Sequence, residues 1–128
     1  MILLDSSVLF DYFRGKDAKL NALIPTLSCA LCGAVRAEAL KGCRTPAERT
    51  KTVNGMNTFG RLTTPEVVWD ELGDNLAALR VAGLAVPFPD VLVATVGVRH
   101  GVEVWARDRH FPMMQTVLPA LRLFAEPP

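Results

Sequence analysis

Three short apolar runs, Ile2 to Leu4, Leu27 to Leu31 and Val102 to Ala106, have the length of strands, and the segments between them carry helical spacing. A chain that alternates strands with helices closes right-handed crossovers into a mostly parallel sheet covered on both faces. The expected fold is therefore α/β, a three-layer α/β/α sandwich. Its 128 residues, half of them hydrophobic, suit one domain spanning 1–128 with a core of its own. There is no internal repeat, low-complexity tract or Pro/Gly/Ser linker.

The punctuation is local. Asp5-Ser6-Ser7 offers caps for a helix from Val8 to about Arg14, stopped by Gly15. Asp17 caps a second helix through Leu20, Leu23 and Ile24, which Pro25 ends. Gly33 begins a turn, Ala34 to Leu40 form a helix, and Gly42 stands at its end. Thr45-Pro46-Ala47-Glu48 and Thr64-Pro65-Glu66 read as helix starts. The first of these helices carries Arg49, Lys51 and, farther on, Arg61; the second places Val68, Leu72, Leu76 and Leu79 on one face before Gly83. Pro87-Phe88-Pro89 reads as an extended connection, Asp90 as the head of a buried Val91 to Val96 helix, and Leu121 to Phe124 as a short edge strand.

A net charge of +1 supplies no bulk attraction for nucleic acid, so any such contact must come from local clusters. Met1 runs into Asp5 without a basic leader, and no apolar stretch is long enough for a membrane span, which predicts a cytoplasmic protein. Cys29, Cys32 and Cys43 are an odd number, and neither His100 nor His110 is spaced to complete a zinc set with them. They read as reduced, structural thiols.

Four acids interrupt segments that should be buried: Asp5 after the first strand, Glu38 inside Ala37-Glu38-Ala39-Leu40, Asp90 at the head of the apolar helix, and Asp108 after the Val102 to Ala106 strand. Carboxylates near a core must be paired, hydrogen-bonded or metal-bound, since an isolated buried charge takes up a proton instead. A hard divalent cation such as Mg²⁺ or Mn²⁺ relieves the repulsion among converging carboxylates. With no Ser/His/Asp or Cys/His set in sight, the fitting chemistry is metal-activated water attacking a phosphodiester. Singly, each acid has an ordinary role: Asp5 and Asp90 as helix caps, Glu38 as an exposed helix position, Asp108 as a turn residue.

What joins the four is a resemblance. Leu3-Leu4-Asp5-Ser6-Ser7-Val8, Ala37-Glu38-Ala39-Leu40-Lys41-Gly42, Asp90-Val91-Leu92-Val93-Ala94-Thr95 and Ala106-Arg107-Asp108-Arg109-His110-Phe111 stand in the order and spacing of the PIN-domain family. They resemble in particular its VapC-like toxin ribonucleases. The resemblance covers nearly the whole chain and implies a Mg²⁺- or Mn²⁺-dependent endoribonuclease acting on RNA, often tRNA or rRNA. It also implies a cognate antitoxin and a homodimer. By position, Asp5, Glu38, Asp90 and Asp108 map onto the family's catalytic, metal-binding acids, with Asp5 and Asp90 as the direct ligands. Ser7 takes the place of the small polar residue that orients the first acid at the substrate side. The chain departs from the pattern at Ala106, where the family often has a hydroxyl, and at His110, where it often has a further acid.

Among the cations, Arg107 and Arg109 flank a site acid and are the expected phosphate contacts. Arg36, Lys41, Arg44, Arg49, Lys51 and Arg61 read mainly as solvated surface. Asp11 is left unassigned. Two other readings compete. A phosphoacceptor receiver would need adjacent acids after an early strand and a late-strand Lys, and no Lys follows Arg80. A catalytically idle PIN-like module would bind a partner protein only; it would take up Mn²⁺ and cut nothing.

Overall fold

The three buried side chains of β1 (Ile2–Leu4) explain why that run has no polar alternation. A strand paired on both sides and covered on both faces has no wet face to mark. The computed structural model, which describes residues 1–128, places β1 between β2 (Cys29–Cys32) and β4 (Glu103–Trp105), with β3 (Gly60–Leu62) outside β2. The order is β3-β2-β1-β4 and every pairing is parallel. Helices on the two faces complete the α/β/α sandwich.

α1 (Ser6–Arg14) is capped by Asp5, whose carboxylate accepts from Ser7 N at 3.1 Å, and is closed by Gly15 at φ 72°, a left-handed conformation suited to glycine. α2 (Ala18–Leu23) is capped by Asp17, which accepts from Leu20 N, and a single 3₁₀ turn at Ile24–Thr26 follows. α3 (Gly33–Lys41) starts on the glycine expected to form a turn. α4 (Pro46–Met56) is capped by Thr45, while Glu48 reaches back to Arg44 N at 2.8 Å. α5 (Val67–Val81), α6 (Phe88–His100) and α7 (His110–Gln115) complete the chain.

α6 is buried continuously from Asp90 to Gly97 and lies directly on β4, because a Cβ at Gly97 would collide with Val104. The same seam buries Leu3, Leu4, Leu31, Trp105 and Phe111, each contributing about 1.5–3 kcal/mol through loss of apolar surface. α6 runs back to the start of β4, so its first turn, with Asp90, opens at the carboxyl edge of the sheet.

Several boundaries differ from the sequence expectations. Arg61 lies in β3 rather than on a helix: α4 ends at Met56, and the three-residue edge strand Gly60-Arg61-Leu62 has too little apolar character to announce itself. β2 begins two residues later than Leu27. The Pro87-Phe88-Pro89 segment is extended only at Pro87. The helix begins at Phe88, where Pro89 in the first turn gives up an N–H that has no helical partner, and Asp90 is in the first turn rather than at the cap. The Leu121 to Phe124 strand reduces to one bridge between Val104 and Leu123, held by Val104 N to Arg122 O and Phe124 N to Val104 O. The short α7 follows a turn at Asp108, whose carboxylate accepts from His110 N, while Arg109 stands at the cap position without a side-chain capping bond.

Candidate metal centre

With strands ordered β3-β2-β1-β4, the chain winds outward from β1 in one direction and then crosses back to β4 on the other side. Ligand sites of open parallel sheets form at such a reversal, outside the carboxyl ends of the strands. Asp5 leaves β1 and Asp108 follows β4 at that point, and Asp5 N donates to Trp105 O at 2.9 Å, holding the two strand ends together. α3 supplies Glu38 and α6 supplies Asp90 from either side.

Asp5 is only 2% exposed. Its Oδ2 accepts from Ser7 N at 3.1 Å and from Ser7 Oγ at 2.6 Å, whereas its Oδ1 is buried without a hydrogen-bond partner. Glu38 Oε1 and Asp90 Oδ2 are likewise buried and unpartnered. Asp108 Oδ1 accepts from His110 N at 2.9 Å and lies 2.7 Å from His110 Nδ1, which is itself 3.3 Å from Asp90 Oδ2. That nitrogen is aligned with neither carboxylate well enough for a hydrogen bond, so the imidazole sits between them as a wedge.

The titration behaviour follows from this crowding. Burial pushes the Asp90 carboxyl up to about 7, with the fields of Asp108 and Asp5 adding to it and His110 opposing. Asp5 is also raised, chiefly by burial, although its hydrogen bonds from Ser7 pull the other way. Glu38 is raised by burial and by the charge of Asp5, with Ser6 beside it partly offsetting both. Each carboxylate therefore feels at least one other across the group, and the four expected acids do converge.

An all-oxygen donor set with three buried, unpartnered carboxylate oxygens fits a hard divalent cation of the Mg²⁺ or Mn²⁺ type. Asp90, Asp108 and His110 also bring one ligand atom each within 4.8 Å of one another. In the sequence, His110 stands out as a departure from an acid and as a histidine not spaced to join the cysteines in a zinc set. Its position two residues beyond Asp108 was the available signal.

The substrate-side residues divide. Ser7 Oγ, while donating to Asp5, accepts from Arg107 N at 3.0 Å, which fixes the first acid against the turn after β4. The Arg107 guanidinium, expected to meet phosphate, turns away from the acids. It donates to Glu126 at 2.7 and 3.1 Å, to Asp17 at 2.6 Å and to Asp11 at 3.0 Å. Three carboxylates, Glu126 foremost, raise its affinity for its proton, and its fork is already taken. The unassigned Asp11 thus has a structural partner. Arg109 is exposed beside the site. Cys29 and Cys32 are buried thiols, with burial raising Cys29 to about 11, and Cys43 is half-buried; all three are unpaired. No helix is long and apolar enough to cross a membrane.

No protein-family model and no curated protein matches the sequence. Solved structures do. The chain superposes on VapBC2 from Rickettsia felis bound to a promoter DNA fragment with a TM-score of 0.83 at 15% identity, over 97% of this chain and 98% of the other. DNA-bound VapBC from Salmonella typhimurium gives 0.82 at 15% identity, over 96% of each chain. VapBC-5 from Mycobacterium tuberculosis gives 0.68 at 18% identity, over 95% of each. At such identities the likeness is one of backbone architecture, and by that measure the chain shares, over nearly its whole length, the fold of a chain in these VapBC structures.

Proposed function

We propose that this one-domain chain is a divalent-metal-dependent endoribonuclease, the toxin of a toxin–antitoxin pair. The observation that carries the proposal is the group of three buried carboxylate oxygens, on Asp5, Glu38 and Asp90, that no protein group satisfies. A purely structural cluster would have hydrogen-bonded them, since leaving such groups bare in a low-dielectric site is costly, and the imidazole of His110 beside Asp90 meets only one of the three. In this reading Asp5, Asp90, Asp108 and Glu38 hold Mg²⁺ or Mn²⁺. When bound, the ion supplies Lewis acidity at the scissile phosphate and a water acidic enough to attack it near neutral pH.

The residues of the chain have distinct tasks in this scheme. Ser7 keeps one Asp5 oxygen engaged so that the other faces the group. Asp90, with its carboxyl near 7, is half-protonated around neutrality when nothing neutralises the cluster. Loading the centre therefore requires that proton to leave. His110, between Asp90 and Asp108, occupies the side of the centre where Asp108 would serve a second ion. Arg109 is the exposed cation next to the centre and is assigned to the RNA backbone.

The solved neighbours are VapBC complexes, which supports a cognate antitoxin as partner, and a second copy of the chain is proposed as the other. Unpaired thiols agree with the reducing cytoplasm as the place of action. The test is to incubate the purified, antitoxin-free protein with total bacterial RNA, tRNA and rRNA included, in Mg²⁺ or Mn²⁺ and to map new ends by sequencing. Discrete cuts that disappear with EDTA and in Asp5→Asn are the expected result. Mn²⁺ binding without any cut would instead favour the idle, partner-binding module.

A further inference from the structure

On the opposite flank of α3 from Glu38, a pocket opens at the carboxyl ends of β2 and β3 between Gly33, Arg36, Arg61, Leu62, Thr63 and Thr64. Two arginines line it and no acid does. Arg36 Nη2 donates to Asn57 Oδ1 at 3.1 Å, but its Nη1 is buried without a partner. Burial and then the like charge of Arg61 hold the Arg36 guanidinium below its usual value. Two cations lining one pocket with no acid among its lining is an arrangement that a bound anion relieves, and the planar guanidinium fork matches a phosphate.

Position decides which anion. Residues two apart on a helix are separated by about 200° of rotation, so Arg36 and Glu38 place the pocket and the carboxylates on either side of α3, roughly one helix width, ~10 Å, apart. Both open at the same edge of the sheet. The four carboxylates repel a polyanion, and Arg107, the cation adjacent to Asp108, is already consumed by three acids. An RNA strand lying across this edge needs its charge met elsewhere.

We propose that the Arg36–Arg61 pocket is a binding subsite for a backbone phosphate of the RNA strand, next to but separate from the metal-binding carboxylates. The proposal rests on the ribonuclease reading above. It gives Arg36 and Arg61 a positioning role that carries no base preference.

The test measures binding without cleavage, by fluorescence anisotropy of a fluorescein-labelled single-stranded oligoribonucleotide in EDTA across a salt series. Arg61→Glu is the main variant, because Arg61 is exposed on an edge strand and its replacement does not disturb the core. Arg36→Gln is the second, and Arg80→Glu, an equal charge change on the exposed end of α5, is the control. Arg61→Glu should weaken binding roughly tenfold at low salt and reduce the salt slope by about 0.7 for the lost contact. Arg36→Gln should move both in the same direction, and Arg80→Glu neither. RNA binding by Arg61→Glu equal to that of Arg80→Glu overturns the subsite while leaving the ribonuclease reading intact. A wild-type protein that binds no RNA overturns both. Unchanged RNA binding with lost capture of an acidic antitoxin segment would make the pocket a protein-docking site and overturn the proposal.

Discussion

Arg107 and Asp108 are neighbours in sequence and opposites in environment. Arg107 meets three carboxylates, and its hydrogen bonds to Glu126, Asp17 and Asp11 tie the carboxyl-terminal tail, the start of α2 and the second half of α1 to the end of β4. Asp108 faces the other way, into a group in which Asp5, Glu38 and Asp90 each keep a buried oxygen that nothing satisfies. Both regions are built of carboxylates at the same turn. One has its charges balanced and contributes to holding the chain together. The other is left unbalanced, which costs stability and, in the proposed function, is what a cation would relieve. The contrast separates a charge cluster that is paired within the protein from one whose oxygens are left for a ligand, as the proposed function requires.

The largest effect should come from removing the imbalance. Asp90→Asn is expected to lower RNA cleavage by at least about a hundredfold, through loss of a ligand. At the same time it should raise the melting temperature of the metal-free protein at neutral pH. The sign follows from the raised carboxyl: between 3.8 and about 7 the folded chain keeps a proton that the unfolded chain has released, so metal-free stability falls as pH rises through that range. Mn²⁺ should restore it in the wild type and not in Asp90→Asn. Differential scanning fluorimetry across pH, with and without Mn²⁺, checks this; a flat wild-type profile would remove the distinction between the two regions.

Next in size is the balanced side. Arg107→Ala removes the ion pairs that join Asp11, Asp17 and Glu126 to one guanidinium, while Asp11 keeps Arg14, Asp17 keeps Leu20 N and Glu126 keeps Trp105 Nε1 and Lys19; the loss should lower stability measurably, read as a shift in urea midpoint. Its pH dependence has the opposite sign. Arg107 holds the carboxyls of Glu126 and Asp17 below their usual range, so their contribution is present above the unfolded-state values and is lost as pH falls through the folded ones. Acid unfolding of Arg107→Ala should be correspondingly less steep.

Ser7→Ala joins the two regions, since Ser7 Oγ touches both Asp5 and Arg107 N. It should reduce kcat about tenfold, with the fold retained and metal affinity lowered less than in Asp5→Asn, as calorimetric Mn²⁺ titration would show. The smallest effect is expected from Arg109→Ala: stability within about 0.5 kcal/mol of wild type, with KM for RNA raised about threefold and kcat kept. A fall in kcat alone would remove Arg109 from the substrate side.

Much of this was legible in the residues. β1 was readable because a buried parallel strand is an unbroken apolar run, β4 because Val104 and Trp105 sit in a short run of apolar residues broken only by Glu103, and α6 because it is apolar almost all round. The caps at Asp5, Asp17 and Thr45 were readable because capping is a contact over two or three residues. β3 was not: Gly60-Arg61-Leu62 is a strand only because β2 pairs with it, and an exposed edge imposes no pattern. The start of α6 at Phe88 was hidden by Pro89, which suits a first helical turn as well as an extended link.

The candidate centre divides along the same line. That Asp5, Glu38, Asp90 and Asp108 are out of place in apolar surroundings is a property of the sequence by itself, as is the order in which they occur. The tertiary structure alone decided that their carboxylates share one field, that His110 stands between two of them, and that Arg107 is spent on Glu126, Asp17 and Asp11 while Arg36 and Arg61 line one pocket that no acid lines. The reason is range. Propensity and capping act over a few positions along the chain, whereas electrostatic pairing depends on separations in space, and the partners of Arg107 stand 96, 90 and 19 residues away from it.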